Sequence, residues 1–260
     1  MRMDRITITG ADDSVDHDDM IELTKRYPFV EWGILVSATH TGEPRFPSDG
    51  WMERARYYGE TGVLSLSLHV CGQWVRDMLV GLTRMPYNAV SGFQRIQLNF
   101  HGADATFDPS GLVAAIDYYA DRLSPSHGRQ VIFQIDATKG RKYFESAIAA
   151  GATNVVPLFD ASGGTGRVPE EWPLPFFYRQ DETLYFGYAG GLGPENLAFH
   201  MGEIGGRVGK VSSEFTIWLD METKVRTEDD SRLDLTKVEQ CLSLAEKLAR
   251  DYKFGVGALA

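Results

Sequence analysis

Short β-forming runs recur along this chain, and each is followed by Gly, Asp or Ser and then by apolar residues at helical spacing. This order is typical of repeated βα units, which build parallel sheets. We count eight runs, at residues 5–9, 30–37, 64–71, 93–100, 130–136, 154–160, 184–189 and 215–220. Eight strands joined by helical crossovers close more naturally into a barrel than into an open doubly wound sheet, which is the structural alternative. The sequence therefore predicts an α/β fold, the (β/α)8 or TIM barrel.

The segments between these runs predict seven helices and one loop. Helical spacing places the helices at residues 14–27, 48–58, 73–82, 110–123, 141–150, 194–202 and 234–252. The last of them starts at Asp234, a good N-cap residue, and repeats its apolar residues close to a 3.6-residue period. The sixth unit differs, because the stretch VPEEWPLPFFYRQDET contains three prolines and cannot form a regular helix. We expect a loop there.

Composition limits the class of protein. Of the 260 residues, 43% are hydrophobic and 24% are charged, which suits a single folded domain over residues 1–260. The formal charge of −10 disfavours nucleic acid as a partner. No apolar run reaches the roughly 20 residues of a membrane span, and the N-terminus lacks the apolar run of a signal peptide. We expect a cytoplasmic protein with a small-molecule partner, and the sequence leaves its oligomeric state open.

Polar side chains stand in strands that a barrel would normally fill with aliphatic residues. They are Glu31 in the second run, Ser65, Ser67, His69 and Cys71 in the third, Gln97, Asn99 and His101 in the fourth, Gln134 and Asp136 in the fifth, Asp160 in the sixth and Asp220 in the eighth. Any one of them alone has an ordinary explanation, such as a turn cap or a buried hydrogen bond. Barrel closure would bring them towards one axis, where unpaired polar groups are costly. The set predicts a ligand cavity at the C-terminal ends of the strands.

Two glycine-rich turns follow neighbouring strands. One spans residues 160–166 and contains Gly163 and Gly164, and the other spans residues 187–196 and contains Gly190 and Gly191. Glycines let backbone N–H groups approach an anion closely, and the second turn leads into a predicted helix whose N-terminus favours negative charge. The structural alternative is a pair of tight turns. Together the two turns predict a phosphate-binding site.

The order of these motifs resembles the phosphoribosylanthranilate isomerase branch of the ribulose-phosphate-binding TIM barrels. Residues 8–10, Ile-Thr-Gly, resemble that family's first-strand Ile-Cys-Gly, and residues 97–102 resemble its Gln-Leu-His-Gly. Residues 158–166 resemble its Leu-Leu-Asp and the glycine-rich loop that follows. Residues 189–196, Ala-Gly-Gly-Leu-Gly-Pro-Glu-Asn, are close to its Ala-Gly-Gly-Leu-Asn-Pro-Glu-Asn and form the most specific match, while Leu-Asp at 219–220 resembles its eighth-strand Val-Asp. The likeness spans most of the chain.

The resemblance implies an Amadori rearrangement, in which a general acid opens a phosphoribosyl ring and a general base moves a proton. The family's acid, an Asp on the sixth strand, matches Asp160. Its base, a Cys on the first strand, is replaced by Thr9, whose hydroxyl is too weakly acidic to serve as a base near neutral pH. We therefore expect a divergent isomerase or lyase in which Cys71 or His69 supplies the base, since protonated His69 would lower the pKa of Cys71.

The remaining polar residues are expected to hold the substrate, a small and phosphorylated sugar-like molecule. The residues assigned to this role are Thr9, Gln97, Asn99, His101, Gln134, Asp136, Asp220 and Arg226. In the eighth loop, residues 221–226 replace the family's phosphate-holding Ser-Ser-Gly. Glu222 there would repel a phosphate, whereas Lys224 or Arg226 would restore the contact.

Three other interpretations of the same residues stay open. The isomerase needs no cofactor, but a divalent metal ion is an alternative, with ligands drawn from Glu31, His69, His101, Asp136, Asp160 and Asp220. A barrel that has lost its catalytic base would act only in binding. A Schiff-base aldolase would use Lys139 or Lys224, which follow the fifth and eighth strands.

Overall fold

Parallel strands closed into a barrel form the centre of the molecule. The computed structural model describes residues 2–100, 107–123, 129–135, 140–160, 162, 165–178, 185–212, 215–251 and 255–256. The strands are β1 (Arg2–Thr9), β2 (Val30–Val36), β3 (Leu66–Val70), β4 (Arg95–Leu98), β5 (Gln130–Ile135), β6 (Val155–Asp160), β7 (Tyr185–Ala189), β8 (Thr216–Met221) and the short β9 (Gly255–Val256). Strand β1 pairs in parallel with both β2 and β8, which closes the barrel, and β9 pairs with the start of β1. The predicted (β/α)8 barrel is confirmed.

Helices follow the strands around the outside of the barrel. In the described part of the chain they are α1 (His17–Arg26), α2 (Asp49–Glu60), α3 (Gln73–Leu79), α4 (Pro109–Ala120), α5 (Gly140–Ala149), α6 (Leu197–Gly209) and α7 (Leu235–Asp251). Side-chain caps fix where several begin, because Asp16, Ser48 and Asp108 each accept a backbone N–H from the first turn that follows. Helix α1 therefore starts three residues later than the sequence pattern predicts.

Helix α6 is longer than predicted and begins later. The pattern predicts an end at residue 202, where glycines become frequent, but the helix continues to Gly209. Its buried side chains Met201, Ile204 and Val208 form one stripe that packs in the main core. This burial holds the last turns in helical form in spite of the low helix propensity of glycine.

The described part of the segment between β6 and β7 packs on the outside of the barrel. Its residues, 162 and 165–178, contain neither helix nor strand, which agrees with the loop predicted from the three prolines. The ring of Trp172 packs edge-on against Tyr188 of β7, with centroids 5.9 Å apart, and Phe176 packs against Phe186 at 5.4 Å. Tyr178 donates a hydrogen bond of 2.9 Å to the backbone of β7. Aromatic side chains of this segment thus cover the outer side of β7, where a helix would otherwise pack.

Apart from Gln134, Asp160 and Asp220 at the strand ends, the inside of the barrel is divided into an apolar half and a polar half. The apolar half comes from β5 to β8 and consists of Ile132, Val156, Leu158, Tyr185, Ala189 and Trp218. The polar half comes from the region of β1 to β4 and contains the buried residues Arg5, Thr7, Thr9, Glu31, Ser65, Ser67, His69, Arg95 and Gln97. A larger apolar core between strands and helices surrounds the barrel and supplies most of the buried hydrophobic surface.

A buried charge cluster lies at the bottom of the polar half. Glu31 accepts hydrogen bonds from Arg5 at 3.0 Å, from Thr7 at 2.8 Å and from Arg95 at 3.1 Å. Arg95 also lies over the ring of Trp218, 4.5 Å from its centroid. Burial alone would raise the pKa of Glu31, but the charges of Arg95 and Arg5 outweigh it and lower that pKa. Glu31 is therefore an ionised partner of two arginines.

Within the described residues, no helix combines the length and the apolar character that crossing a bilayer requires.

Candidate active site

A cavity of about 170 Å³ opens at the C-terminal ends of the strands. Its lining comes from strand ends all around the barrel and consists of Leu35, Arg45, His69, Cys71, Gln97, Asn99, Gln134, Asp160, Ser162, Gly166, Ala189, Gly190, Gly191, Leu192, Asp220, Glu222 and Thr223. Barrel closure thus brings together side chains that lie up to 188 residues apart in the chain, from Leu35 to Thr223. The cavity lies where ligands bind in TIM barrels.

Most of the predicted site residues meet in this cavity. The predicted residues that line it are His69, Cys71, Gln97, Asn99, Gln134, Asp160, Gly190, Gly191 and Asp220. Thr9 and Arg226 are described but do not line it. The predictions for His101, Asp136, Gly163, Gly164 and Lys139 fall outside the described residues.

Asp160, at the end of β6, accepts hydrogen bonds from three donors. Its Oδ1 accepts from the backbone N–H of Ser162 at 2.8 Å and from the hydroxyl of Ser162 at 2.7 Å. Its Oδ2 accepts from Gln134 Nε2 on β5 at 2.5 Å. Both oxygens therefore act as acceptors, and this arrangement fixes the orientation of the carboxyl group towards the cavity.

Asp220 stands in a different environment at the end of β8. It is buried, and its Oδ1 accepts a hydrogen bond of 2.6 Å from the hydroxyl of Thr9. Burial raises the pKa of Asp220 to about 7, against the hydrogen bond from Thr9, and the nearby carboxylates of Glu222, Asp160 and Glu31 raise it further. Near neutral pH, Asp220 therefore exists in both its protonated and its ionised form.

One residue separates the two aspartates across the sheet. Ala189 of β7 pairs with Asp160 of β6 on one side and with Asp220 of β8 on the other. Since neighbouring strands lie about 4.8 Å apart, the Cα atoms of the two aspartates are separated by about 10 Å. The methyl group of Ala189 leaves space between them, so a small molecule seated there contacts both carboxyl groups.

The predicted activation of Cys71 by a charged histidine does not fit the structure. His69 is buried in the cavity wall, and burial lowers its pKa to about 3, so its imidazole is neutral near pH 7. Burial raises the pKa of Cys71 to about 12, although Asn99 Nδ2 donates a hydrogen bond to its sulfur at 3.3 Å. Without a cation beside it, Cys71 stays a thiol, and the expected lowering of its pKa is wrong.

Arg226, a predicted substrate contact, lies outside the cavity lining and makes contacts within the protein. Its guanidinium is buried and donates to the backbone oxygen of Gly10 at 2.9 Å and to Asp230 at 2.8 Å. The loop after β1 and the loop after β8 are thereby joined below the rim of the cavity. Lys224, the other predicted phosphate contact, packs against Gly193 and also lies outside the cavity lining.

Sequence reasoning missed Arg45 altogether. This residue follows β2, where no periodic pattern marks it, and it adopts a φ of 75°. Its guanidinium donates to Glu222 at the cavity and to Asp230 at 2.5 Å. Glu222 was expected to repel a phosphate. In the structure, burial raises the pKa of Glu222 and its pairing with Arg45 opposes that rise.

The glycines of the seventh turn are required by packing. Gly191 has a φ of 63°, and a Cβ there would come within 2.6 Å of the backbone oxygen of Gly166. Gly190 has a φ of 125°, which also favours glycine. Asn196 ties the turn together, because its side chain accepts from Gly193 N and donates to Gly191 O, both at 2.9 Å. The tight-turn interpretation is sufficient to explain these two glycines.

A metal centre finds no support among the described residues, because no three His, Cys, Asp or Glu side chains there converge as metal ligands. Glu31, one of the ligands considered, has both carboxylate oxygens occupied by Arg5, Thr7 and Arg95. It lies below the cavity and not in its lining.

Replacing Gly33 by alanine is expected to displace the Thr9 side chain that contacts Asp220. A Cβ at this β2 position would overlap Thr9 Oγ1 and lie 2.9 Å from His69 Nε2. The overlap displaces Thr9 from Asp220 and lowers the free energy of unfolding by about 1–3 kcal/mol, measured by urea denaturation. In the matched control, Gly202→Ala on α6, the added Cβ meets nothing within 4 Å, and a gain of about 0.5–1 kcal/mol is expected. Equal effects of the two substitutions would contradict this account of Gly33.

Comparisons with known proteins support the fold. No protein-family model and no curated protein matches the sequence. Among solved structures, the phosphoribosyl anthranilate isomerase of Thermus thermophilus is similar, with a TM-score of 0.53 and 16% identity over 95% of this chain and 100% of that one. The phospho-2-dehydro-3-deoxyheptonate aldolase (DAHP synthase) of Thermotoga maritima has a TM-score of 0.55 and 12% identity over 98% of this chain and 72% of that one. At these identities the likeness shows the fold alone, and the chain is a TIM barrel.

Proposed function

We propose that this barrel is an acid/base enzyme, an isomerase or lyase that moves a proton on a small sugar-like metabolite. The observation that carries the proposal is the pair Asp160 and Asp220, which face one cavity from either side of Ala189. Their environments differ, since Asp160 is held by three donors and Asp220 is buried with one. Pairs of carboxyl groups in unlike environments are typical of acid/base sites.

In this proposal Asp220 moves the proton. A group with a pKa of about 7 is present as acid and as base near neutral pH, which is the condition for efficient proton transfer. Asp160, held by Gln134 and Ser162, accepts a hydrogen bond from a substrate hydroxyl and stabilises positive charge that develops on the substrate. The resemblance assigns the acid role to the Asp160 position, whereas burial and the neighbouring carboxylates, which raise the pKa of Asp220 to about 7, favour Asp220 for this step.

A phosphate on the substrate, expected from the sequence, belongs in this proposal at the rim formed by Gly190 and Gly191. These glycines line the cavity beside Gly166, on the side where the turns after β6 and β7 meet. The floor of the cavity is a less favourable place, because Asp160, Asp220 and Glu222 would repel the anion there.

The proposal is tested by solvent-proton exchange. The protein is incubated in D2O with a panel of aldose phosphates, ketose phosphates and aminosugars. We expect it to introduce deuterium next to the carbonyl carbon of at least one compound. The deuterium is detected by ¹H NMR. Asp220→Asn should lower the exchange rate by about 10²–10⁴-fold, the usual contribution of a positioned acid or base. Asp160→Asn should lower it as well, with a nearly unchanged thermal midpoint.

The control is Asp229→Asn, which removes an exposed carboxylate in the eighth loop and should leave exchange unchanged. Undiminished exchange in the Asp220 variant would refute the assigned proton transfer. If no compound of the panel exchanges above the rate without protein, a barrel that only binds its ligand becomes the better account.

A further inference from the structure

Two buried amide oxygens in the cavity lack a partner. Within the described residues, Gln97 Oε1 and Gln134 Oε1 have no hydrogen-bond partner, although the side chains are only 3% and 8% exposed. Both side chains line the cavity. A buried acceptor left unpaired is unfavourable, so these atoms favour a ligand that brings donors to them.

Neighbouring contacts determine which end of each amide faces the ligand. The Nε2 of Gln134 donates to the Asp160 carboxylate at 2.5 Å, and turning the amide over would place two acceptors together. The Nε2 of Gln97 donates to Asn99 at 3.0 Å, and Asn99 in turn donates to Cys71 at 3.3 Å. The oxygen is therefore the unpartnered atom of each glutamine amide.

The charges around the cavity have one predominant sign. Three carboxyl groups, those of Asp160, Asp220 and Glu222, line it, and among the described lining residues the only guanidinium or ammonium group is that of Arg45. Arg45 is already paired with Glu222 and with Asp230 outside the cavity. The cavity thus offers acceptors and negative charge together, which is the environment that an ammonium or iminium group prefers.

We propose that the floor of this cavity binds an amino- or imino-polyol, a cationic nitrogen compound that also carries several hydroxyl groups. The hydroxyl groups donate to Gln97 Oε1 and Gln134 Oε1, and the cationic nitrogen lies between Asp160 and Asp220. This inference rests on the proposed function, because it names the substrate class of the same cavity. A neutral polyol satisfies the two amide oxygens but brings no positive charge to Asp160 and Asp220, and an anionic polyol is repelled by them.

Three probes of matched length and different charge test the inference. They are D-glucamine, D-sorbitol and D-gluconate, which carry an amine, a neutral end and a carboxylate on the same polyol chain. Binding at pH 7.5 is measured by isothermal titration calorimetry and by saturation-transfer NMR. We expect D-glucamine to bind at least about tenfold more tightly than D-sorbitol and D-gluconate to bind more weakly than both.

Two variants separate the contributions. Gln134→Leu should weaken binding of all three probes and keep their order, because it removes an acceptor without removing charge. Asp220→Asn combined with Glu222→Gln should abolish the preference for D-glucamine, whereas Asp229→Asn, an exposed change of the same sign, should keep it. A cooperative thermal transition with a midpoint no lower than that of the parent shows that each variant keeps the fold.

The inference is overturned if D-gluconate binds as tightly as D-glucamine, if none of the probes binds, or if the preference survives the double substitution. These readouts need no turnover, so they stand apart from the exchange experiment. Selective amine binding without any deuterium exchange would keep this inference and reject the proposed function. Deuterium exchange on an anionic sugar without amine selectivity would keep the proposed function and reject this inference.

Discussion

Replacing Asp220 by Asn is expected to lower the rate of proton exchange by about 10²–10⁴-fold and, at the same time, to make the folded protein more stable above neutral pH. The pKa of this carboxyl is raised from 3.8 to about 7 by burial and by neighbouring carboxylates. Below about 3.8 the group is protonated whether the chain is folded or unfolded, so it adds no pH dependence there. Between 3.8 and 7 only the unfolded chain releases the proton, so unfolding becomes easier as the pH rises.

Above pH 7 the full cost of the buried charge is present, on the order of 4 kcal/mol for a shift of this size. Asparagine carries no charge and its Oδ1 can still accept from the hydroxyl of Thr9, so the variant avoids that cost. Urea denaturation at pH 5 and pH 8 measures the difference, which should grow in favour of Asp220→Asn as the pH rises. A variant that is less stable than the parent at pH 8 would show that folding does not raise the pKa of Asp220.

Replacing Glu31 by Gln is expected to give the largest loss of stability of any single change discussed, about 3–5 kcal/mol. The carboxylate lies completely buried between Arg5 and Arg95. Glutamine keeps the shape but leaves the buried guanidinium of Arg95 without its counter-charge and Arg5 with Asp4 alone, and buried unpaired charges are costly. The loss is measured as the change in the free energy of unfolding at pH 7.

The matched control is Glu239→Gln, which breaks an ion pair with Arg26 on the surface. There the two side chains are 42% and 45% exposed, so the pair is solvated and a change below about 1 kcal/mol is expected. A similarly small effect at Glu31 would mean that the buried arginines find other compensation.

The fold could be read from the sequence because strands and helices leave local patterns. The third strand alternates from Ser65 to Cys71, and barrel closure then determines that its polar face meets those of the other strands. Boundaries were less accurate, since one capping side chain, such as that of Asp16, decides where a helix begins. Such a contact changes the start of an element by several residues without changing its pattern.

The chemistry of the site was harder to predict, because it depends on partners that are distant in the chain. Strand alternation placed Cys71 and His69 correctly, but it carries no information on the burial that shifts their pKa values in opposite directions. The pairing of Arg45 with Glu222, 177 residues away, has no local signal either. The contact between Thr9 and Asp220 likewise arises only when β1 and β8 meet.

The helix-free segment at residues 165–178 contacts both the cavity and the outer side of the barrel. The backbone at Gly166 and Val168 lies close to Gly191 at the cavity. Further along the chain, Trp172 and Phe176 pack against aromatic side chains of β7. Because one continuous segment makes both contacts, we expect a substitution of an aromatic ring on the outer wall to affect the edge of the cavity as well.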